Sequence, residues 1–253
     1  MSTALPQEMQ QHTYAIMDRV EDSHWWFVGR RAILESFLKQ ISSSLAPRHS
    51  SLRILDVGCG TGANLEMLSQ FGSAEGVDVS DEALDFCRKK GLTVQKGLAE
   101  TLPWPDETFD ISTALDVIEH LDDDVAGLME MYRVTKTGGY SLFFVPAFMW
   151  LWGVQDDISN HRIRYTKKQI VDRVEKAGFK VERATYANFT FFAPILGGRV
   201  IMRLTGIKPE SENNITISGL NGVFGKIFSA ERHLLKHVNA PLGVSIVVVA
   251  RKA

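Results

Sequence analysis

The stretch RILDVGCGTG, Arg53 to Gly62, joins a short apolar run to a turn in which three glycines alternate with other residues. RILDV predicts a buried strand, and the apolar residues Leu65, Leu68 and Phe71 then recur at helical spacing. Glycines between a strand and a helix let a ligand approach the backbone at the helix N-terminus. The stretch predicts a strand–helix unit with a nucleotide-like cofactor loop, rather than a turn that only connects two elements.

On either side of this unit, the chain predicts a wound α/β sheet. Short apolar runs alternate with helix-period segments, which is typical of strands joined by crossover helices. Ser80 and Thr166 are predicted helix N-caps, and Gly91 and Gly178 are predicted to end helices. Six further strands are predicted at residues 74–79, 94–96, 109–115, 140–145, 179–187 and 245–252.

The composition excludes several classes of protein. Among 253 residues, 28 Lys and Arg nearly balance 30 Asp and Glu, so no global field attracts a nucleic acid. Two cysteines are too few for a disulfide framework and suit a reducing compartment. The first residues lack the pattern of a secretory signal, and the longest apolar stretch, 190–198, is far shorter than a membrane span. We expect a cytoplasmic protein, monomeric or homodimeric, without a transmembrane segment.

The loop alone leaves two cofactors open. Gly58, Gly60 and Ala63 satisfy G-x-G-x-x-A, and Asp78 ends the second strand where an acid binds ribose hydroxyls, so a nicotinamide enzyme stays an alternative. Asp56 stands two residues before the first glycine, where its carboxylate would repel a pyrophosphate and attract an ammonium group. This charge favours S-adenosylmethionine over NAD.

Four motifs carry a family resemblance, in the order ILDVGCGTG, GVDVS, AETLPWPDETFD and DVIEHLDD. Through them, residues 53–146 resemble the class I S-adenosylmethionine-dependent methyltransferases, and are similar to the ubiquinone-pathway and type 11–12 group. The resemblance implies a Rossmann-like fold, with a seven-stranded, mostly parallel sheet, helices on both faces and an antiparallel last strand. It also implies a transferase of small-molecule biosynthesis that uses S-adenosyl-L-methionine.

Carried over position by position, the resemblance also implies the residues that bind the cofactor. An acid commonly meets the adenine amino group in this family, and Leu98 stands in its place here, so Ala99 is expected to contact adenine through its backbone. The implied cofactor residues are Asp56, Gly58, Cys59, Gly60, Gly62, Asp78, Val79, Ala99, Glu100 and Asp116.

Three residues are candidates for catalysis: Asp116, His120 and His161. Methyl transfer by in-line displacement needs mainly alignment, whereas a hydroxyl acceptor gains from a general base. We therefore expect O-methylation; N- or C-methylation and a non-catalytic S-adenosylmethionine-binding module are the alternatives. The spacing D-x-x-E-H resembles a divalent-metal cluster of ubiquinone-pathway O-methyltransferases. The same string occurs in methyltransferases that need no metal, so no metal is predicted.

Two regions fall outside the regular alternation of strands and helices, and they set the predicted boundaries of the core. Residues 1–50 are expected to form an N-terminal helical lid or cap, and residues 189–240 a helical insert. The core is expected at 51–188, completed by the last strand within 241–253. The insert has six Lys and Arg against three Asp and Glu, a balance that suits a membrane surface or a lipid-like substrate. It lacks a dense basic face, however, so a substrate cap or dimer surface is favoured and a membrane surface is the alternative.

Two aromatic and basic segments are predicted to contact the acceptor, a small molecule that is glycan-linked, lipid-like or a secondary metabolite. They are HWWFVGRR, from His24, and HRIRYT, from His161. Aromatics that only anchor a helix, and arginines that only pair with nearby acids, are the structural alternatives. The predicted substrate residues are Trp25, Trp26, Arg30, Arg162 and Tyr165.

Overall fold

The computed structural model describes residues 11–45, 51–207 and 219–253. Parts of the predicted cap and insert, residues 1–10, 46–50 and 208–218, lie outside the described residues. The strands are β1 Arg53–Val57, β2 Ser73–Asp78, β3 Val94–Lys96, β4 Phe109–Leu115, β5 Thr135–Pro146, β6 Lys180–Ala187 and β7 Ser245–Arg251. The helices are α1 Gln11–Val20, α2 Trp25–Leu45, α3 Ala63–Leu68, α4 Asp81–Lys89, α5 Asp124–Val134, α6 Val154–Ile158, α7 Lys167–Lys176, α8 Phe192–Thr205 and α9 Asn221–Leu235.

The seven strands form one sheet in the order β3-β2-β1-β4-β5-β7-β6. The first five pair in parallel, and β7 runs antiparallel to both β5 and β6. This confirms the predicted mostly parallel sheet with its antiparallel last strand. The chain order reverses between β1 and β4, and open α/β sheets bind ligands at the carboxyl ends of strands at such a point.

Local signals placed most helices correctly. The Ser80 side chain accepts a hydrogen bond from the Ala83 backbone, and Thr166 forms a capping box with Gln169. β5 begins five residues before its predicted start: the Gly138–Gly139 pair lies inside the strand, where the pairing with β4 is irregular, and does not precede it.

The N-terminal helices cover one side of the sheet. The predicted apolar face of α2 is buried, and α2 packs closely on α9, where Gly29 lies against Phe228. HWWFVGRR lies almost wholly within α2 and not ahead of it, and α1 is a further helix that the patterns did not indicate. Among the described helices, none has the length and apolar content to cross a membrane.

Candidate active site

A cavity of about 430 Å³ lies at the carboxyl ends of the central strands and is closed over by α1, α2 and α8. This volume is in the range of small-molecule sites. The cavity brings together residues of the glycine loop, of the segments after β2, β3 and β4, and of the N-terminal helices. Of the predicted site residues, it is lined by Gly58, Cys59, Gly60, Asp78, Val79, Ala99, Asp116, His120, His161, Trp25, Trp26 and Arg30.

Five predicted residues, all described by the structure, lie outside this lining: Asp56, Gly62, Glu100, Arg162 and Tyr165. Arg162 Nε donates to Asp122 Oδ1 at 2.6 Å, and the Tyr165 hydroxyl donates to Asp124 Oδ2 at 2.8 Å. The arginine and the tyrosine therefore hold the segment after β5 against the start of α5.

The glycine loop is held open toward the cavity by Asp78. The Asp78 carboxylate accepts hydrogen bonds from the Gly60 and Ser80 backbone N–H groups, both at 2.9 Å. Gly60 has a φ of +53°, and a Cβ there would meet only Met17, at 3.9 Å, so glycine leaves free space on the cavity side.

Asp56 lies beneath the loop, where it is 1% exposed. Its Oδ1 accepts a hydrogen bond from the Thr113 hydroxyl at 2.6 Å. Burial raises the pKa of Asp56 to about 7, although the Thr113 hydrogen bond and the charge of Arg30 oppose the rise. A cation arriving above the loop would favour the ionised form of this carboxyl group.

Arg30 connects the helical cover to the end of β4. Its Nη2 lies 2.8 Å from Asp116 Oδ2, its Nη1 donates to Asn64 Oδ1, and the guanidinium lies over the Trp26 and Phe144 rings. Asp116 has a φ of +59°, uncommon for a residue with a side chain. Burial raises the pKa of Asp116, and Arg30 opposes this rise.

Asp156 and His161 form a buried pair at the other end of the cavity. His161 Nδ1 lies 2.8 Å from Asp156 Oδ1, and the same oxygen accepts from Arg164 Nε at 2.8 Å. Burial alone would raise the pKa of Asp156, but the His161 hydrogen bond and Arg164 outweigh it and lower the pKa to about 2. Because an ionised Asp156 only accepts, Nδ1 of His161 donates the proton of this hydrogen bond, and Nε2 is the ring nitrogen left for a further partner.

Two ionisable groups surround the Nε2 side of His161. Glu119 Oε1 lies 3.8 Å from it, and the His120 ring meets the His161 ring edge to face at 4.6 Å. Burial and the charge of Asp116 raise the pKa of Glu119 well above its usual value. Burial, with the charge of His161, lowers the pKa of His120 well below its usual value. Ligand atoms of Glu119, His120 and His161 lie within 4.8 Å of one another, as the ligands of a metal ion would.

Sequence patterns missed the contribution of α1 and of the turn that follows it. Glu21 lines the cavity, accepts a hydrogen bond from the Thr61 hydroxyl at 2.6 Å and lies 3.1 Å from Lys90 Nζ. These contacts close α1 over the glycine loop. The spacing of Tyr14 and Met17, which both line the cavity, could have indicated such a helix.

Known proteins are similar to part of this chain. Residues 55–143 match the family model described as a methyltransferase domain. A relative in Oryza sativa, the chloroplastic 2-methyl-6-phytyl-1,4-hydroquinone methyltransferase 2, is 29% identical over 63% of this chain and 48% of its own length. The ubiquinone biosynthesis O-methyltransferase of Methylococcus capsulatus is 34% identical over 42% of this chain and 46% of its own. The chain spans about half the length of these curated relatives.

Solved structures share the whole architecture. A methyltransferase of Thermotoga maritima, described as a possible histamine N-methyltransferase, superposes with a TM-score of 0.56 and 22% identity. The superposition covers 95% of this chain and 100% of that one. At this identity the likeness concerns the fold alone, and the fold is the one that the four motifs predicted.

Proposed function

Since the chain carries a class I S-adenosylmethionine-dependent methyltransferase domain, we propose that it transfers a methyl group from S-adenosyl-L-methionine to the hydroxyl group of a small aromatic molecule. The observation that carries the O-methylation proposal is the Asp156–His161 pair. It holds His161 by Nδ1 in the lining of the cavity that the glycine loop and Asp78 also line, so Nε2 is the nitrogen that would take a proton from an acceptor. Neither a methylated amine nor a purely regulatory binding module needs such a group.

The cofactor fits the loop end of the cavity. Asp78 would accept hydrogen bonds from the ribose hydroxyls, and Ala99, with Val79, would flank the adenine. Gly58 and Gly60 allow close approach of the amino-acid end, and Asp56 beneath them supplies negative charge. When bound, S-adenosylmethionine supplies an already activated methyl group, so the residues of this chain need not create a strong electrophile.

The acceptor end then has two tasks. His161 Nε2 takes the proton of the acceptor hydroxyl, while Asp156 holds the ring and stabilises the positive charge that develops on it. His120 packs edge to face on that ring, and Glu119 lies beside its Nε2. Arg30 and Asp116 close the path of water from the side of α2.

An aromatic acceptor agrees with the cover of the cavity. Trp25, Trp26 and Phe27 line it from α2, and flat rings with one polar edge pack well against such side chains. The relatives named above act, by their names, on a hydroquinone and in ubiquinone biosynthesis. In this proposal the helices α1 and α2 of the predicted cap cover both ligands, and α8 of the predicted insert covers the acceptor end.

The experiment measures methyl transfer from labelled S-adenosylmethionine to a panel of hydroquinones, catechols and aromatic amines, with mass spectrometry of the product. His161→Asn and Asp156→Asn are compared with His233→Asn, which changes an exposed histidine on α9. We expect kcat on a hydroxyl acceptor to fall roughly 10²- to 10⁴-fold in His161→Asn, the usual effect of losing a general base. In Asp156→Asn kcat should fall less, and in the control, His233→Asn, kcat should not change.

Cofactor affinity separates a chemical role from a structural one. His161→Asn should bind S-adenosylhomocysteine within about twofold of the unchanged protein, because Nε2 faces the acceptor. Full activity of His161→Asn on hydroxyl acceptors would refute the base. Methylation of amines only would favour the N-methyltransferase alternative, and cofactor binding without transfer to any acceptor would favour the non-catalytic module.

A further inference from the structure

The burial pattern of α8 is the reverse of that of an ordinary surface helix, because a charged residue is buried and apolar residues are exposed. Of its 14 residues, Arg199 alone is buried, and its Nη1 donates to the Leu151 carbonyl. Leu204 is 82% exposed, Ile201 60% and Val200 40%. Apolar residues that point outward in this way form a surface that needs a partner.

The two sides of α8 face different surroundings. Ile195, Arg199 and Met202 line the cavity. At 3.6 residues per turn, Val200, Ile201 and Leu204 fall within an arc of about 100° on the opposite side of the helix. One helix therefore separates the acceptor end of the cavity from an exposed apolar surface.

Further apolar groups extend this surface. Ile207, just past the helix, is 61% exposed, and Met149 and Trp150 are each 49% exposed. Arg203 Nη2 donates to the Trp150 and Trp152 carbonyls, at 2.8 and 2.5 Å, and so fastens that turn to α8. We call Met149, Trp150, Val200, Ile201, Leu204 and Ile207 the α8 surface.

The charged residues within α8 itself are both basic. Arg203 is exposed, and α8 contains no acidic residue. In the described parts of the insert, 189–207 and 219–240, the one acid is Glu231, which is buried and accepts hydrogen bonds from Asn188 and Thr190. Exposed aliphatic side chains beside a tryptophan and an exposed arginine are features of a helix that lies in the interface of an anionic bilayer.

We propose that the α8 surface docks on an anionic lipid bilayer, with α8 lying in the plane of the membrane. Its 14 residues span about 21 Å, less than the roughly 30 Å of a hydrocarbon core, so it lies on the membrane and does not cross it. Gly197 and Gly198, at mid-helix with open space around them, lower the helix propensity, and burial in lipid would compensate. An apolar acceptor would then enter the cavity past α8.

The test is cosedimentation with vesicles of phosphatidylcholine and phosphatidylglycerol, compared with phosphatidylcholine alone. We expect the full chain to bind the anionic vesicles, and binding to weaken as salt rises. The double variant Ile201→Glu, Leu204→Glu should lose at least tenfold in partitioning. Met129→Glu is the matched control, since Met129 is also an exposed apolar residue, 55% exposed, but on α5.

A second readout does not depend on these variants. Brominated lipids should quench the fluorescence of the unchanged protein more than that of Trp150→Phe. The proposal is overturned if the protein ignores anionic vesicles, or if Met129→Glu weakens binding as much as the double variant. Light scattering gives a further outcome that overturns it: a dimer of the unchanged protein that is absent in the double variant, with no binding to vesicles. The α8 surface would then be the contact between two copies of the chain. Vesicle binding needs no acceptor, so this proposal stands or fails apart from the methyl-transfer proposal.

Discussion

Replacing Asp56 by Asn should change how the stability of this protein depends on pH. Asn preserves the oxygen that accepts from Thr113 and has nearly the same shape, but it cannot ionise. The Asp56 pKa of about 7 in the folded protein compares with an ordinary value of 3.8. At 1.36 kcal/mol per unit, the gap corresponds to roughly 4 kcal/mol of unfolding free energy.

The sign follows from proton binding. Between pH 3.8 and about 7 the folded chain retains a proton on Asp56 that the unfolded chain has released, so the free energy of unfolding falls as pH rises. The stabilising contribution is complete below pH 3.8 and is lost by about pH 7. Asn cannot ionise, so the stability of Asp56→Asn does not fall in this way. Between pH 4 and pH 7 its free energy of unfolding should therefore rise by up to about 4 kcal/mol relative to that of the unchanged protein.

The assay is urea unfolding followed by circular dichroism at pH 4, 5, 6, 7 and 8 for both proteins. In thermal unfolding the same difference corresponds to roughly 8 °C for a chain of this length. Asp85→Asn, which removes an exposed carboxylate on α4, controls for the change in net charge. Parallel pH profiles for the unchanged protein and Asp56→Asn would refute the argument, because they would show that Asp56 ionises normally in the fold.

Two further predictions concern the cofactor loop and the helical cover. Asp78→Ala should weaken S-adenosylhomocysteine binding at least tenfold in calorimetry, since hydrogen bonds to a charged group contribute about 1.5–3 kcal/mol. The control is Asp81→Ala, which removes an exposed acid at the start of α4. An equal loss of affinity in the control would contradict the prediction. Gly29→Ala places a Cβ 2.2 Å from the Phe228 ring and should lower the free energy of unfolding by about 1–3 kcal/mol. In Gly197→Ala the new Cβ meets nothing within 4 Å, so the free energy of unfolding should rise by about 0.5–1 kcal/mol. Urea unfolding of both glycine variants checks the pair, and equal effects would show that α2 does not pack on α9 as described.

The sequence by itself determined the sheet and the cofactor loop. Strand periodicity, helix caps and the alternating glycines are local features, and local sterics and hydrogen bonding act between residues a few positions apart. For this reason Ser80, Thr166 and the RILDVGCGTG unit were interpreted correctly from the chain alone.

Only the tertiary structure decided how the acceptor end is built. Asp156 was visible in the sequence as a partner for a salt bridge, and His161 as a second base. Their shared hydrogen bond depends on how the chain after β5 folds back, and on Arg164 holding the same carboxylate. Glu21 reaches Thr61 across 40 positions of sequence, and the period of α8 gave no sign that Arg199 is inside while Leu204 is outside. Such contacts depend on packing between segments that are distant in the sequence. Hydrophobic periodicity does not reveal this packing, because the burial of each helix face depends on the element that packs against it.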